Sequence, residues 1–258
     1  TGANNTAIGK GSMQANTTGA YNVVLGYEAL AANTTGASNT ATGYRALNAN
    51  TTASNNTAVG INSLLANTTG ADNVAVGKNT LDACTTSVSN VAVGNGAGGA
   101  VTTGNGENVF VGNNAGAGVT TGQQNIILGD NACANGTMTG NLNVIIGDNA
   151  GLVNTTGSYN VGVGGAVLGA NTTGSANTAV GYEAMNASTT GGNNAAFGIS
   201  ALKDNTTGHE NAGLGRYALQ NNTTGYENTG VGNAALETNT TGNFNTAVGS
   251  MSLAGNTT

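Results

Sequence analysis

Apolar and polar positions recur along this chain with a fixed period. Fifteen times a short segment reads apolar or Thr, small, apolar, Gly, with Asn just ahead of it, as in NTAIG at 5–9, NVAVG at 73–77 and NTAVG at 245–249. The glycines are Gly9, Gly26, Gly43, Gly60, Gly77, Gly94, Gly112, Gly129, Gly147, Gly164, Gly181, Gly198, Gly215, Gly232 and Gly249. Four residues before each stands an asparagine: Asn5, Asn22, Asn39, Asn56, Asn73, Asn90, Asn108, Asn125, Asn143, Asn160, Asn177, Asn194, Asn211, Asn228 and Asn245. The step is 17 residues except for two steps of 18, Gly94 to Gly112 and Gly129 to Gly147. Seventeen residues are too few for a helical hairpin repeat and suit one rung of a β-solenoid. The expected fold is all-β: a parallel β-solenoid, or β-roll, of about 15 rungs.

Within a rung the two residues flanking the small one share a two-residue period and favour β-branched types, which predicts a short strand with that pair facing a core. The small residue between them, usually Ala (Ala7, Ala41, Ala58, Ala75), then lies on the opposite face. Four residues after the glycine a large apolar residue recurs (Met13, Leu30, Leu47, Leu64, Leu81, Leu168, Met185, Leu202, Leu219, Leu236, Leu253) and is expected to form the second wall of the core. YEALAA at 27–32 and YRALNA at 44–49 are rich in helix formers, so a short helical or 3-10 turn is an option there. An α-helix about 10 Å wide does not stack at a rung spacing near 4.8 Å, which favours a tight turn or a short second strand.

The glycine column implies a left-handed or closely packed backbone at a corner. The asparagine column implies amides that bond local backbone and stack from rung to rung. An NTTG tetrad also recurs, as at Asn16–Gly19 and Asn33–Gly36, and predicts one outward threonine column. Its match to a glycosylation sequon follows from the repeat.

One domain, 1–258, is expected, because the repeat runs from end to end. The opening Thr1-Gly2 and closing Asn256-Thr257-Thr258 fall in the NTTG phase, as if cut from a longer array. Rungs 94–151 differ. The large apolar residue becomes Gly98, Gly116, Cys133 and Gly151, the small strand position becomes Phe110, Ile127 and Ile145, and Val101 and Val119 enter the NTTG phase. A changed cross-section or interface is predicted there, with the extra residues taken up as bulges.

Composition narrows the function. Charged residues are 6% of the chain, net charge is −6, proline is absent and glycines number 44. Five basic residues offer little to a phosphate backbone or an anionic bilayer, so neither nucleic-acid nor membrane binding is expected. No stretch approaches the roughly 18 apolar residues of a membrane span. Absent proline suits a continuous backbone ladder. Cys84 and Cys133, three rungs apart, are expected about 14 Å from each other, beyond disulfide reach.

Candidate chemistry is sparse. His209 has Glu210 beside it but no second base, zinc spacing is lacking, and Asp130 and Asp148 at one phase are too few for a calcium site. No catalytic residue, metal or cofactor is assigned, and the chain is read as a non-enzyme. Glu28 with Arg45 and Tyr27 with Tyr44 share phases on adjacent rungs and are expected to form surface ladder contacts. Tyr21, Tyr159, Tyr226 and Phe244 lie in a loop phase where sugar rings stack on aromatics, though scattered over distant rungs.

The N-x-A-(I/V)-G segments resemble the head repeats of trimeric autotransporter adhesins, and NTAVGY-x-AL followed by NTTG resembles repeat arrays of phage tail fibres. That resemblance implies a left-handed β-roll in which three chains pack side by side. The expected role is therefore a structural or adhesive segment of an extracellular filament, surface adhesin or tail fibre, roughly 70 Å of rod. The small positions would let chains pack closely as a homotrimer or filament, with a cell-surface glycan or receptor as possible partner. An ice-binding solenoid using the threonine column, and a glycan-binding shaft, are the alternatives.

Overall fold

The computed structural model describes residues 2–104 and 106–258; Thr1, with the phase expected to open there, and Asn105, at the first 18-residue step, lie outside the described residues. Two compact units are present, 1–125 and 126–258. Each is a parallel β-solenoid.

In the first unit the strands are β1 (Thr6–Ile8), β2 (Val23–Leu25), β3 (Thr40–Thr42), β4 (Thr57–Val59), β5 (Val74–Val76), β6 (Val91–Val93) and β7 (Val109–Val111). The second carries β8 (Ile126–Leu128), β9 (Val144–Ile146), β10 (Val161–Val163), β11 (Thr178–Val180), β12 (Ala195–Phe197), β13 (Ala212–Leu214), β14 (Thr229–Val231) and β15 (Thr246–Val248). Neighbours in sequence pair in parallel and in register, as in Val74↔Val91 and Ala75↔Ala92, or Val161↔Thr178 and Gly162↔Ala179. Like residues therefore form columns.

The strand orientation is the reverse of the expectation. Ala41, Ala58, Ala75 and Ala92, the small middle residues, are fully buried, while the flanking pair faces outward, with Val76 36% and Val93 38% exposed. The large residues of the opposite wall explain this. A Cβ placed on Gly162 would lie 3.2 Å from Leu168 Cδ1, and one on Gly213 would lie 3.4 Å from Leu202 Cγ. Leu30, Leu47, Leu64, Leu81, Leu202 and Leu219 are fully buried, so the leucine side chain already fills a thin core and leaves room opposite for little more than a methyl group.

The stretch after the glycine is a succession of turns; no helix or 3-10 segment occurs among the described residues. Glu28 (φ 51°) and Leu30 (φ 50°) are left-handed, which an α-helix excludes despite the helix-forming composition. Their amides bond neighbouring rungs instead: Glu28 N–H to Lys10 O at 3.0 Å and Leu30 N–H to Ala46 O at 2.9 Å. Leucine in this region carries strain of order 1 kcal/mol or more, which its buried side chain must offset.

Gly26 shows why the glycine column tolerates nothing else. Its φ is 149°, and a Cβ there would approach the carbonyl carbon of Gly43, one rung on, to 2.7 Å.

Candidate interaction surface

Two buried amide columns hold each rung to the next. Asn39 takes its place between neighbours: its backbone N–H donates to Asn22 Oδ1 at 2.9 Å, its own Oδ1 accepts from the Asn56 N–H at 3.0 Å, and its Nδ2 donates to Ala53 O at 2.9 Å. The NTTG asparagines form the second column, with Asn50 Nδ2 donating to Asn33 Oδ1 and to Ala53 O, both at 3.0 Å. All four of these asparagines' partners are internal, so the amides belong to the scaffold. In the first unit the second column gives way to Cys84, Val101 and Val119, all buried.

The threonines divide their roles. Thr34 Oγ1 donates to Thr51 O at 3.0 Å, and Thr51 Oγ1 repeats the bond to Thr68 O at 3.1 Å. Away from the ends only the following threonine of a pair (Thr35, Thr52, Thr69) is exposed, which leaves a single outward rank.

What the rungs present to solvent is the strand face. Both outward positions of every strand are apolar or threonine, and none of the thirty residues is charged. Val76 is 36% exposed, Phe197 42% and Leu214 41%, inside their units rather than at a terminus. In-register pairing sets the two ranks about 7 Å apart with a repeat near 4.8 Å. Parallel sheets ordinarily have both faces covered, and this one has a single face on the core.

Around that face the aromatic residues fall into groups. Tyr27 and Tyr44 stack at 5.4 Å with rings 7° apart, beside an Arg45 Nε to Glu28 Oε2 contact of 3.7 Å. His209 stacks on Tyr226 at 5.0 Å, and Phe244 meets Tyr226 edge-on at 5.2 Å. The expectation of scattered loop aromatics is thus corrected for Tyr226 and Phe244, which sit on adjacent rungs and share a cluster. Sequence reading passed over His209 as its third member. Tyr21 and Tyr159, each 64% exposed, join no ring contact among the described residues.

Among the described residues there is no pocket and no group of three His, Cys, Asp or Glu that would hold a metal ion. No helix is long and apolar enough to cross a membrane. Lys203 Nζ is 2.6 Å from Glu183 Oε2, and that hydrogen bond raises the lysine pKa. Both cysteines are buried free thiols; burial pushes Cys84 up to about 11 and Cys133 up to about 12. The small residues expected to bring chains together are inside except in the first strand: Ala29, Ala46 and the middle alanines Ala41, Ala58, Ala75, Ala92, Ala179 and Ala196 are fully buried and cannot touch a neighbour, whereas Ala7 is exposed. No family model matches the chain, and no curated protein or solved structure matches it either.

Proposed function

We propose that this chain is a non-catalytic structural segment of an extracellular filament, surface adhesin or tail fibre, and that copies of it associate through the strand face. One observation carries the reading: every described strand turns two uncharged, largely β-branched residues outward. Contiguous exposed apolar surface beyond a few hundred Å² is rare on monomers and marks a contact surface. A trimer is the favoured number, from the resemblance of the N-x-A-(I/V)-G segments to adhesin head repeats. Replacing Val76 and Val93 together by lysine tests the role of the face. Both side chains lie outside the core, so circular dichroism is expected to stay unchanged while association falls; unchanged association would remove the strand face from the account.

A glycan-binding role has the His209, Tyr226 and Phe244 cluster in its favour, since aromatic rings grouped at a surface present the apolar patches on which sugars stack. Its test is a glycan array with the chain and its Tyr226→Ala variant. Binding lost in the variant supports it, and no binding by the parent chain ends it.

A further inference from the structure

Three Asn-Gly dipeptides occur in the chain, at 95–96, 105–106 and 135–136. Asn105 lies outside the described residues; the other two pairs, one in each unit, are held differently. In the first unit Gly96 N–H donates to Lys78 O at 3.0 Å and Asn95 Nδ2 donates to Asn113 Oδ1 at 3.2 Å, so both halves of the dipeptide are tied to neighbouring rungs. In the second unit Asn135 is exposed and its backbone N–H donates to Leu152 O at 3.0 Å. Among the described residues no hydrogen bond engages its side chain or the Gly136 N–H. That free N–H departs from the rung pattern. Gly136 stands at the phase of the NTTG asparagines, where Asn50 N–H donates to Leu47 O at 3.1 Å and Asn154 N–H to Gly151 O at 3.0 Å. Glycine is imposed by the next rung, because a Cβ on Gly136 would run into Asn154 O. No side chain therefore stands after Asn135 to hinder approach to its amide carbon.

We infer that Asn135 is a site of self-modification, converting to aspartate and isoaspartate through a succinimide formed with Gly136, and that the fold protects the identical dipeptide at Asn95. The Gly136 nitrogen gives up its proton and attacks Asn135 Cγ. The new N–Cγ bond closes the ring, the Cγ–Nδ2 bond breaks, and the departing group takes a proton and leaves as ammonia. Water then opens the ring at one of its two carbonyl carbons. Breaking the new N–Cγ bond gives aspartate; breaking the original peptide bond gives isoaspartate, whose main chain runs through Cβ and Cγ.

The two sites differ in what must be given up before the ring can close. Attack requires a nitrogen released from its hydrogen bond and an amide able to swing onto it. At Asn95 both the Lys78 and the Asn113 bonds have to break first, whereas at Asn135 neither half of the dipeptide is engaged. Isoaspartate also adds a methylene to the main chain beside the Asn135 N–H to Leu152 O bond, so the rung is expected to loosen there once the product forms.

Peptide mass spectrometry on the unaltered chain aged in mildly alkaline buffer tests this, with electron-based fragmentation separating aspartate from isoaspartate. Conversion at Asn135 is expected to run about tenfold faster than at Asn95 in the folded chain. In urea, where neither pair is held, the two rates should come together. Equal rates in the folded chain overturn the inference, as does an Asn135 that stays intact when folded while converting in urea. Asn135→Gln, in which the same attack would close a larger ring, should leave no product at that position after the same ageing. Undiminished conversion there would contradict attack by the Gly136 nitrogen.

Discussion

Phe110 occupies the space in which the rung's large apolar side chain would otherwise stand: a Cβ placed on Gly98 would lie 2.8 Å from both Phe110 Cδ2 and Leu81 Cδ2. The same exchange recurs in the second unit, where a Cβ on Gly151 would lie 3.2 Å from Ile145 Cγ2. When the middle strand residue grows, its opposite number shrinks, and core volume is conserved.

Phe110→Ala should therefore open a cavity and cost about 3–5 kcal/mol. Combining it with Gly98→Leu should recover much of that loss, since leucine already occupies this column at Leu81 with φ 50°. Chemical denaturation of the single and double variants checks it. A double variant less stable than Phe110→Ala alone would show that the two positions do not share one space.

Asn39→Ala removes an acceptor that the buried Asn56 N–H has no evident way to replace. A loss of about 1–3 kcal/mol is expected, against a change within about 0.5 kcal/mol for the exposed Thr35→Ala. Thermal melts of the two variants should differ in that order; equal effects would mean that the column is not stabilising the stack.

The thiols predict a pH dependence. Burial raises Cys84 and Cys133 above the ordinary value of 9.0, so the folded state holds their protons more tightly than the unfolded chain does. For an acid shifted in this direction the stabilisation is complete below about pH 9. It declines as pH rises through the interval up to about 11 and 12, and Cys84→Ala with Cys133→Ala should flatten the decline. Alkylation by iodoacetamide at pH 8 should likewise wait on unfolding. Rapid labelling of the native chain at either site would contradict the burial.

Much of this fold was legible in the sequence, because the 17-residue step and the paired asparagine and glycine columns specify a parallel stack. The strand's orientation was not. A two-residue period says that Val74 and Val76 share a face and Ala75 has the other, but it does not say which face is inside. The informative signal lay in rungs 94–151, where Phe110 appears together with Gly98 and Gly116. Residues that exchange volume must touch, so the middle strand position packs against the leucine wall. The aromatic cluster escaped because its members sit at two different phases, His209 and Tyr226 at one and Phe244 at the next. The helical option at 27–32 failed because composition carries no record of Glu28 and Leu30 being left-handed.

A second copy of the chain is expected to cover the uncharged strand face. Sedimentation equilibrium over a wide concentration range measures this most directly. The predicted result is a mass that is a whole multiple of 24.9 kDa, three being the favoured number, reverting toward 24.9 kDa when Val76 and Val93 are replaced by lysine. A mass of 24.9 kDa at every concentration would contradict it.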